Sequence, residues 1–185
     1  MTKNQTTRYV AFLRAINVGG KRMIKMEALR GVFESAGYQN VRTFIASGNV
    51  IFNATETDPD SLAKKIEKKI LKAFGHDVTV IVLTLAELQR VVKLNPFKNI
   101  KASKEVMLFV SFLSSEPAKK LKLPMRSANE NLDVIALKGR VAFVVAYHKK
   151  NGWFGFPNNF LEKDLNVAAT TRNWTTVRKI AALED

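Results

Sequence analysis

The stretch Tyr9-Val-Ala-Phe-Leu-Arg-Ala-Ile-Asn-Val-Gly-Gly20 carries the strongest structural signal in the chain. Its first seven residues, Tyr9 to Ala15, predict a strand, because β-branched and aromatic residues gather there without Gly or Pro. Side chains alternate across a strand, so Val10 and Phe12 take one face and Tyr9, Ala11 and Leu13 the other. Both faces are apolar, and a strand covered on both sides belongs inside a sheet. The stretch then passes through Arg14 and Asn17 and ends on Gly19-Gly20, two residues free to adopt positive φ. The pattern predicts a central strand that opens into a polar loop.

Downstream, Met26, Leu29, Phe33 and Ala36 recur at helical spacing and Gly37 follows as a stop, which predicts a helix over 24–36. Val41 to Ala46 and Val50 to Phe52 flank Ser47-Gly48-Asn49, a hairpin signal. Asp58-Pro59 reads as an N-cap with Pro at the first helical position. Leu62, Ile66, Ile70 and Ala73/Phe74 then form an apolar stripe that ends at Gly75. Asp77 to Thr84 predicts a fourth strand. The order is βαββαβ, a ferredoxin-like split βαβ.

Thr84-Leu-Ala-Glu87 is a capping box for a short third helix ending before Asn95-Pro96. A boundary is placed after it, giving residues 1–97 and 98–185 as two halves. In the second half Val106 to Leu113 is again apolar on both faces. Pro117 to Leu123 reads as a short basic helix, and Leu132 to Leu137 and Val141 to Tyr147 pair around Lys138-Gly139. Helices are predicted near 159–165 and 173–183. The expected fold class is therefore α+β: two ferredoxin-like, βαββα-type halves with mainly antiparallel sheets, plus a C-terminal helix.

Thirty Lys and Arg against sixteen Asp and Glu give a net charge of +14. The excess is spread evenly, with sixteen basic and eight acidic residues in 1–100 and fourteen and eight in 101–185. A folded body this basic attracts polyanions without sequence preference. The chain has no cysteine, so disulfides and thiolate chemistry are excluded. Its polar first seven residues carry no secretory signal, and no run reaches the roughly 18 apolar residues of a membrane span. A cytoplasmic location without membrane association is expected.

Strands one and two of a split βαβ run the same way, so the end of the first strand should meet the hairpin between the second and third. That brings Arg14, Asn17, Gly19, Gly20 and Lys21 toward Ser47, Gly48 and Asn49. Loop N–H groups, amides and cations of this kind form anion-binding nests. The plainer alternative is that the glycines and amides only shape two turns. The phosphate-loop pattern is absent, since Lys21 is followed by Arg22 rather than Ser or Thr, and G-x-G-x-x-G is absent too.

Lys64, Lys65, Lys68, Lys69 and Lys72 lie opposite the apolar stripe of the second helix, either as a solvated face or as a contact for nucleic acid. Phe12 and Phe52 read as core rather than as an RNA-stacking platform. His76 and His148 are the only histidines, and neither belongs to a zinc pattern; no metal site and no cofactor are expected. There is no G-x-S-x-G nucleophile motif, and the carboxylates Asp58/Asp60 and Glu162/Asp164 suit helix capping and exposed faces. Trp153, Phe154 and Phe156, in the loop Asn151 to Asn159, are expected to pack inward. Near the C-terminus, Arg172 precedes Trp174 at a predicted helix start, where a cation is unfavourable without an anion nearby.

Four segments together resemble the domain-of-unknown-function 1697 family: Tyr9 to Gly20, Arg42-Thr-Phe-Ile-Ala-Ser-Gly-Asn-Val-Ile-Phe52, Asn95-Pro-Phe97, and Thr170-Thr-Arg-Asn-Trp-Thr-Thr-Val177. The resemblance covers nearly the whole chain. Ala15 departs from it, since the family pattern has glycine there. The resemblance implies ferredoxin-like halves in a small, mostly bacterial, cytoplasmic protein and brings no activity with it.

Two functional readings follow. The first is weak, sequence-independent binding of nucleic acid or another polyanion, with Lys64, Lys65, Lys68, Lys69 and Lys72 in contact. The alternative is a small-molecule enzyme or sensor for an anionic metabolite, with Arg14, Asn17, Gly19, Gly20, Lys21, Ser47, Gly48, Asn49 and Arg172 around the ligand. The residues point to no reaction, and whether the protein is an enzyme stays open at this stage, as does its oligomeric state.

Overall fold

The computed structural model describes residues 6–101, 103–119, 121–149 and 152–183. The polar start of the chain and the first residue of the Asn151–Asn159 loop lie outside them. The chain divides into two compact units, 1–88 and 89–185.

The first unit holds β1 (Thr7–Leu13), α1 (Met26–Ser35), β2 (Gln39–Thr43), β3 (Asn49–Ala54), α2 (Pro59–Phe74) and β4 (Val80–Thr84). Its antiparallel sheet has the order β2-β3-β1-β4, the ferredoxin-like arrangement. β1 lies between β3 and β4, as its two apolar faces require. Tyr9, Ala11 and Leu13 face the helices with Val50, Phe52, Val80 and Val82, and Leu29, Phe33, Leu62, Ile66 and Ile70 close over them. Phe52 sits among aromatic rings, 5.2 Å from Phe33 and 4.8 Å from Tyr38. Val10 and Phe12, on the other face, are buried as well.

The helix signals act as read. Asp58 accepts from the N–H groups of Asp60 and Ser61, Pro59 opens α2, and Gly75 ends it in the left-handed conformation. The Asp58 carboxyl is held below the usual range chiefly by its hydrogen bonds to Ser61. Helix α3 (Leu85–Leu94) starts on a reciprocal capping box: the Glu87 carboxylate accepts from Thr84 N–H and hydroxyl, and Thr84 Oγ1 accepts from Glu87 N–H.

The second unit contains β5 (Val106–Leu113), β6 (Met125–Ser127), β7 (Leu132–Lys138), β8 (Val141–Tyr147), α4 (Pro157–Leu165), β9 (Ala169–Asn173) and α5 (Trp174–Ala181). Its antiparallel sheet runs β6-β7-β8-β5-β9, so β7-β8-β5-β9 repeats the strand order of the first unit. Two details differ from the sequence reading. No helix forms in the described part of 117–123, a segment ended by Pro124; Leu121 and Leu123 instead alternate onto the core, and β6 follows. The polar run Ala169–Asn173 is a buried strand, because Ser111 and Asn158 satisfy the Thr171 hydroxyl inside.

Candidate functional site

The end of β1 and the 44–48 hairpin meet as strand direction demands. Leu13 N–H donates to Gly48 O at 2.8 Å, and Phe12 stands opposite Asn49. Gly48 is required there: its φ is +74°, and a Cβ would lie 2.7 Å from Ile16 Cδ1 and 2.9 Å from Leu13 Cβ. Asn17 joins the two loops. Its amide donates to Ala46 O and Ile24 O, both at 2.9 Å, while its Oδ1 accepts from Ile24 N–H at 2.7 Å. Fully buried Asn49 donates to Phe44 O at 2.9 Å and Ser47 Oγ at 3.0 Å. Arg14, Asn17, Ser47, Gly48 and Asn49 therefore share one end of the sheet, and both amides are spent on holding loop backbone.

The same loops are conformationally unusual. Ala15, Asn17, Gly19, Gly20 and Arg22 all have positive φ, and so does Ile45 at +50°, a costly conformation for a β-branched residue. The φ of +53° at Ala15 is the physical reason a glycine suits that position. Lys21 and Arg22 are exposed beside Val18 and Met23, which are also exposed.

Arg172 belongs to β9 in the second unit, not to a helix start; Asn173 caps α5 by accepting from Thr175 N–H. The Arg172 guanidinium is buried and donates to Thr170 Oγ1 at 2.8 Å and Thr171 O at 2.9 Å. Burial lowers its pKa to about 10.

On α2, Lys64, Lys65, Lys68, Lys69 and Lys72 are all exposed. Lys65 is paired with the Glu56 carboxylate, which raises its pKa through the hydrogen bond they share. Among the described residues the other four make no ion pair. Glu67, the one acid of the helix past Asp60, turns to the sheet and accepts from Val80 N–H at 2.8 Å.

The Gly- and aromatic-rich loop divides. Phe154 packs onto the core, but Trp153 is 74% exposed and Phe156 50%, so inward packing holds for one ring of three. Among the described residues no three His, Asp or Glu side chains come together as metal ligands would, and no helix is long and apolar enough to cross a membrane. Sequence reasoning missed a cavity in the second unit bounded by Phe97, Lys98, Trp174 and Arg178. The Asn95-Pro-Phe97 and Thr170–Val177 segments were its only signal.

The family model described as protein of unknown function (DUF1697) matches residues 6–143. The structure of the conserved bacterial protein SP0830 from Streptococcus pneumoniae is similar to this chain, with a TM-score of 0.67 and 20% sequence identity over 96% of this chain and 98% of that one. At that identity the likeness shows the fold alone. No curated protein matches the chain.

Proposed function

The chain belongs to the DUF1697 family of proteins of unknown function, and from that premise we propose that it binds nucleic acid weakly and without sequence preference, through phosphates. The carrying observation is the lysine face of α2, of which only Lys65 is held in an ion pair among the described residues. Its rows at i,i+4 (Lys64, Lys68, Lys72 and Lys65, Lys69) place like charges on neighbouring turns, an arrangement that destabilises a helix by roughly 0.2–0.5 kcal/mol per pair. A helix that retains such rows while its one inner acid faces away presents a surface suited to a polyanion. Phe12 and Phe52 are buried, so they offer no stacking platform, and the reading stays with phosphates.

The alternative, an anionic metabolite bound by Arg14, Asn17, Gly19, Gly20, Lys21, Ser47, Gly48 and Asn49, has less support. Asn17 and Asn49 spend their amide protons on loop carbonyls and a hydroxyl, which leaves cations and loop N–H groups as ligands.

Counterion release supplies the test. Four lysines neutralising four phosphates give a slope of about −3.6 in log affinity against log salt on duplex. Titration of labelled duplex and single strand from low to physiological salt should show that dependence. Reversing Lys64, Lys68 and Lys72 together to Glu should flatten it by about three phosphates. Absence of binding at low salt ends the proposal, and an unchanged slope in the triple variant removes α2 as the contact.

A further inference from the structure

Within the second unit, residues from three stretches, Val92 to Ile100, Ser103 to Leu108 and Asn173 to Arg178, line a cavity of about 620 Å³. That is the size of a small-molecule site, commonly about 300–1,000 Å³. Its wall is aromatic: Phe97 and Trp174, both largely buried, meet edge-on with centroids 5.2 Å apart at 67°, and Leu108 adds apolar surface. Its cations are Lys98 and Arg178, both exposed, and among the described residues no Asp or Glu lines it. The polar lining is tied in place, with Asn173 accepting from Thr175 N–H at 2.9 Å and donating to Met107 Sδ at 2.8 Å. Asn95-Pro-Phe97 and Thr170–Val177, two of the segments that carry the family resemblance, reach this one cavity from stretches about eighty residues apart.

We propose that this cavity binds a small molecule that joins a flat apolar ring to an anionic group, carboxylate or phosphate. The ring is taken by the Phe97–Trp174 wall, where apolar burial and aromatic contact act together. The anion is taken by Lys98 and Arg178, with Arg able to hold either head group by two parallel hydrogen bonds. The site is separate from the α2 lysines, so either proposal can fail while the other stands.

The chain has two tryptophans, and Trp153 does not line the cavity, so Trp153→Phe leaves Trp174 as a reporter in its wall. In that background the full chain is titrated with phenyl phosphate and with phenylacetate, against phenol, benzyl alcohol and inorganic phosphate. A saturable change in Trp174 emission is expected with at least one of the ring anions, at roughly millimolar concentration or below. The better of the two identifies the head group. Lys98→Gln and Arg178→Gln should each weaken it about tenfold, the loss of one charge-assisted hydrogen bond. Lys68→Gln on α2 should leave it unchanged. Both cavity substitutions are at exposed positions, and far-UV circular dichroism confirms folding; should one variant unfold, the other carries the test. The proposal is overturned if neither ring anion saturates the signal, if neutral rings or inorganic phosphate bind as tightly, or if the folded cavity variants bind like the parent.

Discussion

Replacing Gly48 by alanine should destabilise the protein well beyond what a loop substitution normally does. Two costs coincide at that position. A left-handed φ of +74° costs an L-residue about 1–2 kcal/mol. The added methyl would sit 2.7 Å from Ile16 Cδ1 and 2.9 Å from Leu13 Cβ, and Leu13 is fixed because its N–H is bonded to Gly48 O. Overpacking of this kind adds about 1–3 kcal/mol. The expected total is about 2–5 kcal/mol, or roughly 4–20 °C in Tm for a chain of this length. Gly20→Ala separates the two costs, since φ there is +72° but no atom lies within 4 Å of the new Cβ. It should lose only the backbone share, about 1–2 kcal/mol. Urea unfolding of both variants, followed by far-UV circular dichroism, gives the comparison. Equal midpoints would refute the steric argument and with it the close apposition of the hairpin to the end of β1.

Ala15→Gly should stabilise the protein by about 0.5–1 kcal/mol, because relief of left-handed strain outweighs the entropy of glycine, and a lower urea midpoint would contradict this. Alkaline pH should destabilise the fold: burial raises the pKa values of Tyr9, Tyr38 and Tyr147 above the ordinary 10. A raised folded-state pKa means stability is whole below the unfolded value and is lost as pH rises past 10. Tm measured from pH 8 to 11 should therefore fall above 10, and a flat profile would speak against buried hydroxyls.

Much of the fold was legible because its signals are local. Asp58-Pro59 and Gly75 bracket α2, and Thr84 with Glu87 opens α3, through hydrogen bonds confined to a few neighbouring residues. The meeting of Asn17 with the hairpin was legible one level up, from strand direction. What escaped depends on partners distant in sequence. The strand Ala169–Asn173 left no sequence signal, because its polar side chains are satisfied only through distant Ser111 and neighbouring-helix Asn158. Leu121 and Leu123 have period two, but the lysines between and before them imitate a basic helix. That Asn17 and Asn49 serve as staples also follows only from where the Ala46 and Phe44 carbonyls lie. The cavity drew on three separate stretches, so no single window of sequence displayed it.

The central place of β1 has a consequence for biosynthesis. Tyr9 is paired opposite Thr84, so β1 leaves the ribosome about 75 residues before its second neighbour. At roughly 5–20 residues per second that wait is about 4–15 seconds, during which an apolar segment has at least one edge unpaired. Arg8 and Arg14 flank its apolar run, the placement at which a charge opposes association of unpaired strands. The second unit repeats the delay, since Phe112 of β5 waits for Thr170 of β9. Each sheet is thus completed by the last strand of its own unit to be made.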